Sequence, residues 1–205
     1  MIRPLLLIFF FFAFLSCQPG NNKKKPATEK PAVTVVPPVK SYLLPLGKTN
    51  DAFVQQTYAG LKQFLPGLQL LPHEPMPDMA YYQPRNRYRA DSLIKWMRSR
   101  AKQNEVYLGI TMQDISTTKG DNPDYGVMGL GYQPGQACVA SNFRVRHKKD
   151  FYKVAIHELG HTAGLPHCPD KSCFMRDAEG TDPTGEEKGF CSNCKAYLKA
   201  KGWKL

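Results

Sequence analysis

No uninterrupted apolar stretch of this 205-residue chain approaches the roughly 20 residues that a bilayer-spanning helix needs. The longest, Leu5 to Leu15, has eleven, which excludes a multi-span membrane protein. There is no internal repeat and no collagen, coiled-coil or RNA-binding signature. Acidic side chains are scarce, 17 Asp+Glu against 28 Lys+Arg, giving a formal charge of +11. Basic residues spread from Lys23 to Lys204 do not by themselves choose between nucleic acid, anionic lipid and an acidic substrate. Histidine is scarcer still, five in all, and three of the five crowd into His157–His167. With 42% apolar residues the chain is not wholly disordered, and its length suits one medium domain plus extensions.

Arg3 followed by the Leu5–Leu15 run has the size of a signal-peptide core. The run ends at Ser16-Cys17, which resembles the lipobox of bacterial lipoproteins, although Phe14 and Leu15 depart from the usual residues. Residues 1–17 are therefore expected to be a lipoprotein-type signal with Cys17 as the lipidation site. The expected location is the bacterial cell envelope, anchored to a membrane on its periplasmic or surface face. Ordinary secretion with Cys17 trimmed away is the alternative. Residues 18–40 hold five prolines and Lys23-Lys24-Lys25 without an aromatic. Such a stretch cannot bury enough surface to offset its ordering entropy and reads as an extended tether.

Residues 41–205 remain for the folded domain. Strands are expected at Ser41–Leu46, Leu68–Leu71, Val106–Ile110, Tyr125–Tyr132 and Ala137–Val145, with a Thr/Gly/Asn/Asp-rich loop before Tyr125. The spacing of Phe53, Tyr58, Leu61, Phe64 and Leu65 predicts a helix over 52–65. Asp91 reads as the N-cap of a second helix carrying Leu93, Ile94, Trp96, Met97 and Ala101, and a long helix starts near Asp150. This order describes an α+β domain with a mixed twisted sheet packed on helices. Tyr81 to Arg89 reads as a lead-in to the second helix with packed tyrosines and solvated arginines, not as a nucleic-acid strip. His73 and His147 lack partners at ligand spacing and read as surface residues.

The chemistry concentrates in Val154-Ala-Ile-His157-Glu158-Leu-Gly160-His161-Thr-Ala-Gly164-Leu-Pro166-His167. On a helix, His157 and His161 lie one above the other on one face and can offer two imidazole nitrogens to one ion. Glu158 borders that face. Gly164 can end the helix and turn the chain so that His167 becomes a third ligand. Three nitrogens leave a position for water, the arrangement of catalytic zinc. Two glycines and two stacked histidines make a locally poor helix, which metal binding would stabilise. With such an ion a zinc-activated water becomes the nucleophile and Glu158 the general base of peptide-bond hydrolysis.

Cys168 follows His167 directly, then Cys173-Phe-Met175 and, after fifteen residues, Cys191-Ser-Asn-Cys194. Two close cysteine pairs can form a closed tetrahedral zinc site that also fixes the chain where His167 is aimed. In an exported protein the same thiols can instead form disulfides, the runner-up reading. Cys138, in an apolar strand, reads as buried and inert.

Together, His157–Cys194 resembles the archaemetzincins, whose pattern is HExxHxxGxxHC, four residues, C-x-M, about seventeen residues and CxxC. The likeness extends upstream through Tyr88–Ile94, Leu108–Thr111, Tyr125–Gly131 and Val139–Ser141. Departures are the fifteen-residue gap and Met112-Gln113, where family members carry an acidic strand end. The resemblance implies a metzincin-like compact domain and a peptidase with two zinc ions per chain. His157, His161 and His167 would hold the catalytic ion, and Cys168, Cys173, Cys191 and Cys194 the structural one. Glu158 would be the base and Met175 the Met-turn residue. It also implies that Gly126, Val127, Met128 and Gly129 lie on an antiparallel edge strand where an extended peptide pairs.

The expected partners are thus a peptide or protein substrate and a membrane, with no nucleic acid, and the expected state is a monomer. The alternative is a non-catalytic, zinc-stabilised peptide-binding lipoprotein. The loop carrying Asp177, Glu179, Asp182, Glu186 and Glu187 could attract a substrate amine, but a solvated loop is the preferred reading.

Overall fold

The computed structural model describes residues 39–205. The readings for the signal run, Cys17 and nearly all of the tether fall outside those residues. No helix among the described residues is long and apolar enough to cross a membrane.

The chain opens with strand β1 (Lys40–Pro45), helix α1 (Asp51–Lys62) and the short strand β2 (Gln69–Leu70). Asn50 caps α1 by accepting the Phe53 N–H at 2.8 Å, satisfying one of the donors that a helix start leaves free. The Tyr81–Arg89 stretch contains strands β3 (Tyr81–Tyr82) and β4 (Arg87–Arg89), followed by α2 (Ala90–Arg98) and β5 (Glu105–Thr111). Next come β6 (Ile115–Lys119), β7 (Asn122–Val127), β8 (Gly129–Gly131), β9 (Ala137–Ser141), α3 (Phe151–Ala163) and α4 (Ser192–Ala200).

One sheet runs β2-β1-β5-β9-β8, parallel except for β8, which is antiparallel to β9. A second runs β3-β4-β6-β7. Alternation along the central strands divides their side chains between two apolar clusters. Leu43, Cys138 and Ala140 join Phe53, Val54, Phe151, Ala155 and Ile156 of α1 and α3, while Leu44, Ala137 and Val139 join Leu93, Ile94 and Met97 of α2. Helices therefore cover both faces of the first sheet. The expected α+β class, mixed sheet and antiparallel edge strand are present.

Several local expectations are corrected. The polar stretch before Tyr125 is the β6–β7 hairpin rather than a loop. Its side chains pair across the edge of the second sheet, so it needs no apolar pattern. Tyr125–Tyr132 is two strands in different sheets, broken at Met128, whose carbonyl accepts Ser141 N–H at 2.7 Å. Asp91 lies inside α2, not at its cap, and accepts the Thr117 hydroxyl at 2.7 Å. Arg87 and Arg89 are largely buried, whereas Arg85 is solvated as expected and Tyr81 is exposed rather than packed. Arg87 lies 3.3 Å from Asp114, which Arg144 also engages through two hydrogen bonds of 2.8 and 2.9 Å. These ions tie β4, β6 and the segment before α3 together. The helix α4 had no counterpart in the sequence reading.

Candidate functional site

Helix α3 buries Phe151, Ala155, Ile156 and Leu159 in the core and turns His157, Glu158 and His161 toward a cleft of about 930 Å³. It ends at Gly164, whose φ of 103° lies in the left-handed region. Leu165 N–H donates to Gly160 O at 3.0 Å and Gly164 N–H to His161 O at 2.8 Å, a Schellman termination. The reversal carries His167 back over the helix. Gly160, which local propensity disfavours, is explained by Met175, since a Cβ at 160 would overlap its sulfur. Met175 is wholly buried under the helix at the level of the histidines.

The three histidines offer ring nitrogens that all lie within 4.8 Å of one another. His157 Nδ1 lies 2.6 Å from Phe174 O and His161 Nδ1 2.8 Å from Leu165 O. A carbonyl only accepts, so both Nδ1 atoms carry the proton in the neutral rings and both Nε2 atoms present lone pairs. Those Nε2 atoms are 3.0 Å apart. Two lone pairs at that distance repel unless a cation lies between them, so this donor set fits a metal ion. Burial first, and His161 second, press His157 down to about 3; burial also lowers His161. The rings stay neutral and able to ligate. His167, the most exposed of the three, has its Nδ1 3.3 Å from Asp177. The Glu179 N–H, ahead of His167, holds Asp177 below the usual carboxylate range. No spacing rule singled out Asp177 in the sequence; its role depends on the turn after Met175.

Glu158 is 6% exposed, and burial pushes its carboxyl up to about 8. Its side chain lies against Gly129 so closely that a Cβ there would be 2.6 Å from its Cγ. Gly126, Val127, Met128 and Gly129 all line the cleft, as do the three histidines and Glu158.

Cys168, Cys173, Cys191 and Cys194 are free thiols whose sulfurs also lie within 4.8 Å of one another. Cys168 and Cys191 are 3.7 Å apart. A disulfide requires about 2.05 Å, whereas four sulfurs about 2.3 Å from a common centre are about 3.8 Å apart, which fits zinc. Cys173 Sγ accepts N–H groups from Met175 at 3.5 Å and Cys191 at 3.4 Å. Cys168 N–H donates to Met175 O at 2.7 Å, joining this cluster to the floor of the histidine site. Cys138 is fully buried, and burial raises its thiol pKa well above the ordinary value. His73 and His147 are exposed and away from both clusters.

The acidic loop is not simply solvated. Glu187 is buried, Glu186 pairs with Arg176 at 2.7 Å, and Asp182 accepts Arg146 N–H at 2.6 Å.

Comparison with known proteins adds a family. The model described as Peptidase family M54 matches residues 51–200. The archaemetzincin of Methanopyrus kandleri is 30% identical over 131 residues, covering 60% of this chain and 73% of that protein. The archaemetzincin of Natronomonas pharaonis is 26% identical over 173 residues, covering 76% and 97%. Among solved structures, the archaemetzincin from Archaeoglobus fulgidus complexed with malonate is 25% identical with a TM-score of 0.64, covering 77% of this chain and 99% of that one. A zinc-dependent peptidase from Methanocorpusculum labreanum shares the fold at 19% identity, with a TM-score of 0.65 and coverage of 77% and 99%.

Proposed function

The chain belongs to peptidase family M54, the archaemetzincin zinc metallopeptidases, and from that premise we propose that it hydrolyses peptide bonds with Glu158 as general base. His157, His161 and His167 are the ligands of the catalytic zinc in this reading, and Cys168, Cys173, Cys191 and Cys194 hold a second, structural ion. The observation that carries it is the pair of unprotonated Nε2 atoms, 3.0 Å apart, of His157 and His161, with the buried Glu158 carboxyl lining the same cleft.

Zinc in the histidine site supplies Lewis acidity, lowering the pKa of water to near neutrality and polarising a scissile carbonyl. Glu158 takes a proton from the attacking water and returns it to the leaving amine. Burial that raises its pKa to about 8 suits a group that must both accept and release a proton near neutrality. Phe174 O and Leu165 O keep the two helix histidines in the ligating tautomer. Met175 closes the floor of the site. β7 lies at the edge of its sheet and β8 at the edge of the other. Their free main-chain groups bind an extended peptide along Gly126–Gly129 by β-augmentation.

The remaining assignments follow the sequence. Residues 1–17 direct export, Cys17 carries a lipid, 18–40 form a tether, and a monomeric domain of 41–205 works at the bacterial envelope. Fatty-acid labelling that persists in Cys17→Ala overturns the anchor. Zinc content and cleavage of a peptide library by the purified chain, with Glu158→Ala as control, test the activity. Turnover by the wild type and its loss in the variant are expected; equal cleavage by both overturns the assignment.

A further inference from the structure

Glu187 lines the cleft yet is 6% exposed. Among the described residues nothing donates a hydrogen bond to its carboxylate. The nearby cations direct their hydrogen bonds elsewhere. Lys153, one turn before His157 on α3, has three N–H donors. It donates to Thr184 O at 2.6 Å and Glu187 O at 2.9 Å, and lies 3.3 Å from Asp150 Oδ1 in an ion pair. Arg176 Nη1 donates to Lys171 O at 3.2 Å and to Glu186 Oε2 at 2.7 Å. An acidic group is thus held nearly out of water, facing the cleft, with its acceptor sites open. Such a group gains most from a cationic donor brought by a ligand.

The placement of this pocket gives it a side relative to the bond that is cut. The first turns of α3 lie by Thr184, while its end lies by Gln133, whose amide donates to Gly164 O at 3.1 Å. The cleft edge runs the same way, from Gly126, which packs on Arg144 before α3, to Gly131 beside the Glu158 carbonyl. A peptide added antiparallel to that edge, the more stable pairing, runs from Gly131 toward Gly126. Its C-terminal half therefore passes Lys153 and Glu187.

We propose that Glu187 is a specificity determinant that selects a Lys or Arg side chain on the C-terminal side of the scissile bond. This rests on the peptidase reading above and gives it a substrate class. Lys153 is a positioning residue, holding the 184–187 segment in place through backbone carbonyls so that the carboxylate, not the ammonium, is left for the substrate. Burial, which pushes the Glu187 carboxyl up to about 7, agrees with a group whose counter-ion arrives with the ligand.

The test uses the zinc-loaded full chain with two readouts. Mass spectrometry of an unbiased peptide mixture cut by the wild type is expected to place Lys or Arg just after the cut. Calorimetry on the Glu158→Ala chain uses octapeptides of otherwise neutral sequence that differ at one position, Lys, norleucine or Glu. The Lys peptide is expected to bind about tenfold or more tighter than the norleucine peptide, and the Glu peptide weakest. Adding Glu187→Gln should bring the Lys-to-norleucine ratio close to one, and Glu187→Asp, which keeps the charge, should restore part of it. Equal binding of Lys and norleucine peptides, or a ratio untouched by Glu187→Gln, overturns the inference. So does a basic residue found only before the cut. Lys preference that vanishes in Glu187→Gln while the wild type cleaves nothing supports the pocket and overturns the peptidase reading instead.

Discussion

Met175 passes beneath Gly160 with no room for a side chain at 160, so a Cβ there would overlap its sulfur. Helix propensity and packing therefore oppose each other at this position. Alanine is about 1 kcal/mol better than glycine in a helix interior, but forcing an extra methyl into a filled site costs about 1–3 kcal/mol. Gly160→Ala is expected to lower the melting temperature of the zinc-loaded chain and to weaken zinc retention, because the displaced Met175 O holds the Cys168 N–H next to His167. Differential scanning calorimetry and zinc analysis after dialysis check both. A rise in melting temperature would mean that Met175 yields and that the close contact is not a constraint.

Gly129 makes the corresponding test for the base. Alanine there would push the Glu158 side chain out of its buried position without touching a histidine. Gly129→Ala is expected to keep its zinc and lose about tenfold or more in kcat, bounded above by the roughly 10²–10⁴-fold that a positioned acid–base group contributes. Steady-state kinetics with parallel zinc analysis would show it; an unchanged kcat would mean that the carboxylate finds another productive position.

The histidine and cysteine clusters were legible because their rules are local. Helical period aligns His157 with His161, a glycine termination returns His167, and cysteine spacing groups the four thiols. What escaped is non-local. The β6–β7 hairpin is written in Ser, Thr, Lys and Asn, whose strand character comes from pairing with one another and with β4. Arg87 looked solvated because its aspartate partners, Asp114 and Asp124, lie about 25 to 40 residues away in the chain. Glu187 looked like one more loop acid. Only the folded chain shows that Lys153, its obvious partner, donates to backbone carbonyls and pairs with Asp150.

Removing one ligand of the thiol cluster should act at a distance. Cys173 is wholly buried and accepts two backbone N–H groups, so Cys173→Ser alters both the metal donor and the turn around Met175. In the two-zinc reading the variant loses one equivalent of zinc and several kcal/mol of stability, since metal binding is coupled to folding. The Cys168–Met175 backbone link predicts a weakened histidine site too. Mass-spectrometric metal counting against a chelator series would check this. Full zinc content in Cys173→Ser would exclude it as a ligand.

Glu187 also gives a pH signature with a definite sign. Burial raises its carboxyl to about 7 from the ordinary 4.5, with Lys153 and Arg176 pulling it down and Asp182 and Asp150 pushing it up. Between those values the folded chain keeps a proton that the unfolded chain has released. Stability from this group is therefore greatest below pH 4.5, falls as pH rises toward 7, and is level above that. The loss is about 3 kcal/mol at most. Glu187→Gln has no such proton, so its stability relative to wild type should climb between pH 4.5 and 7. Denaturant melts of both proteins at matched pH cancel the common effects of histidine and thiol protonation. A wild-type-to-variant difference that stays constant across this window would show that Glu187 is ionised throughout, held by a cation that its committed neighbours do not supply.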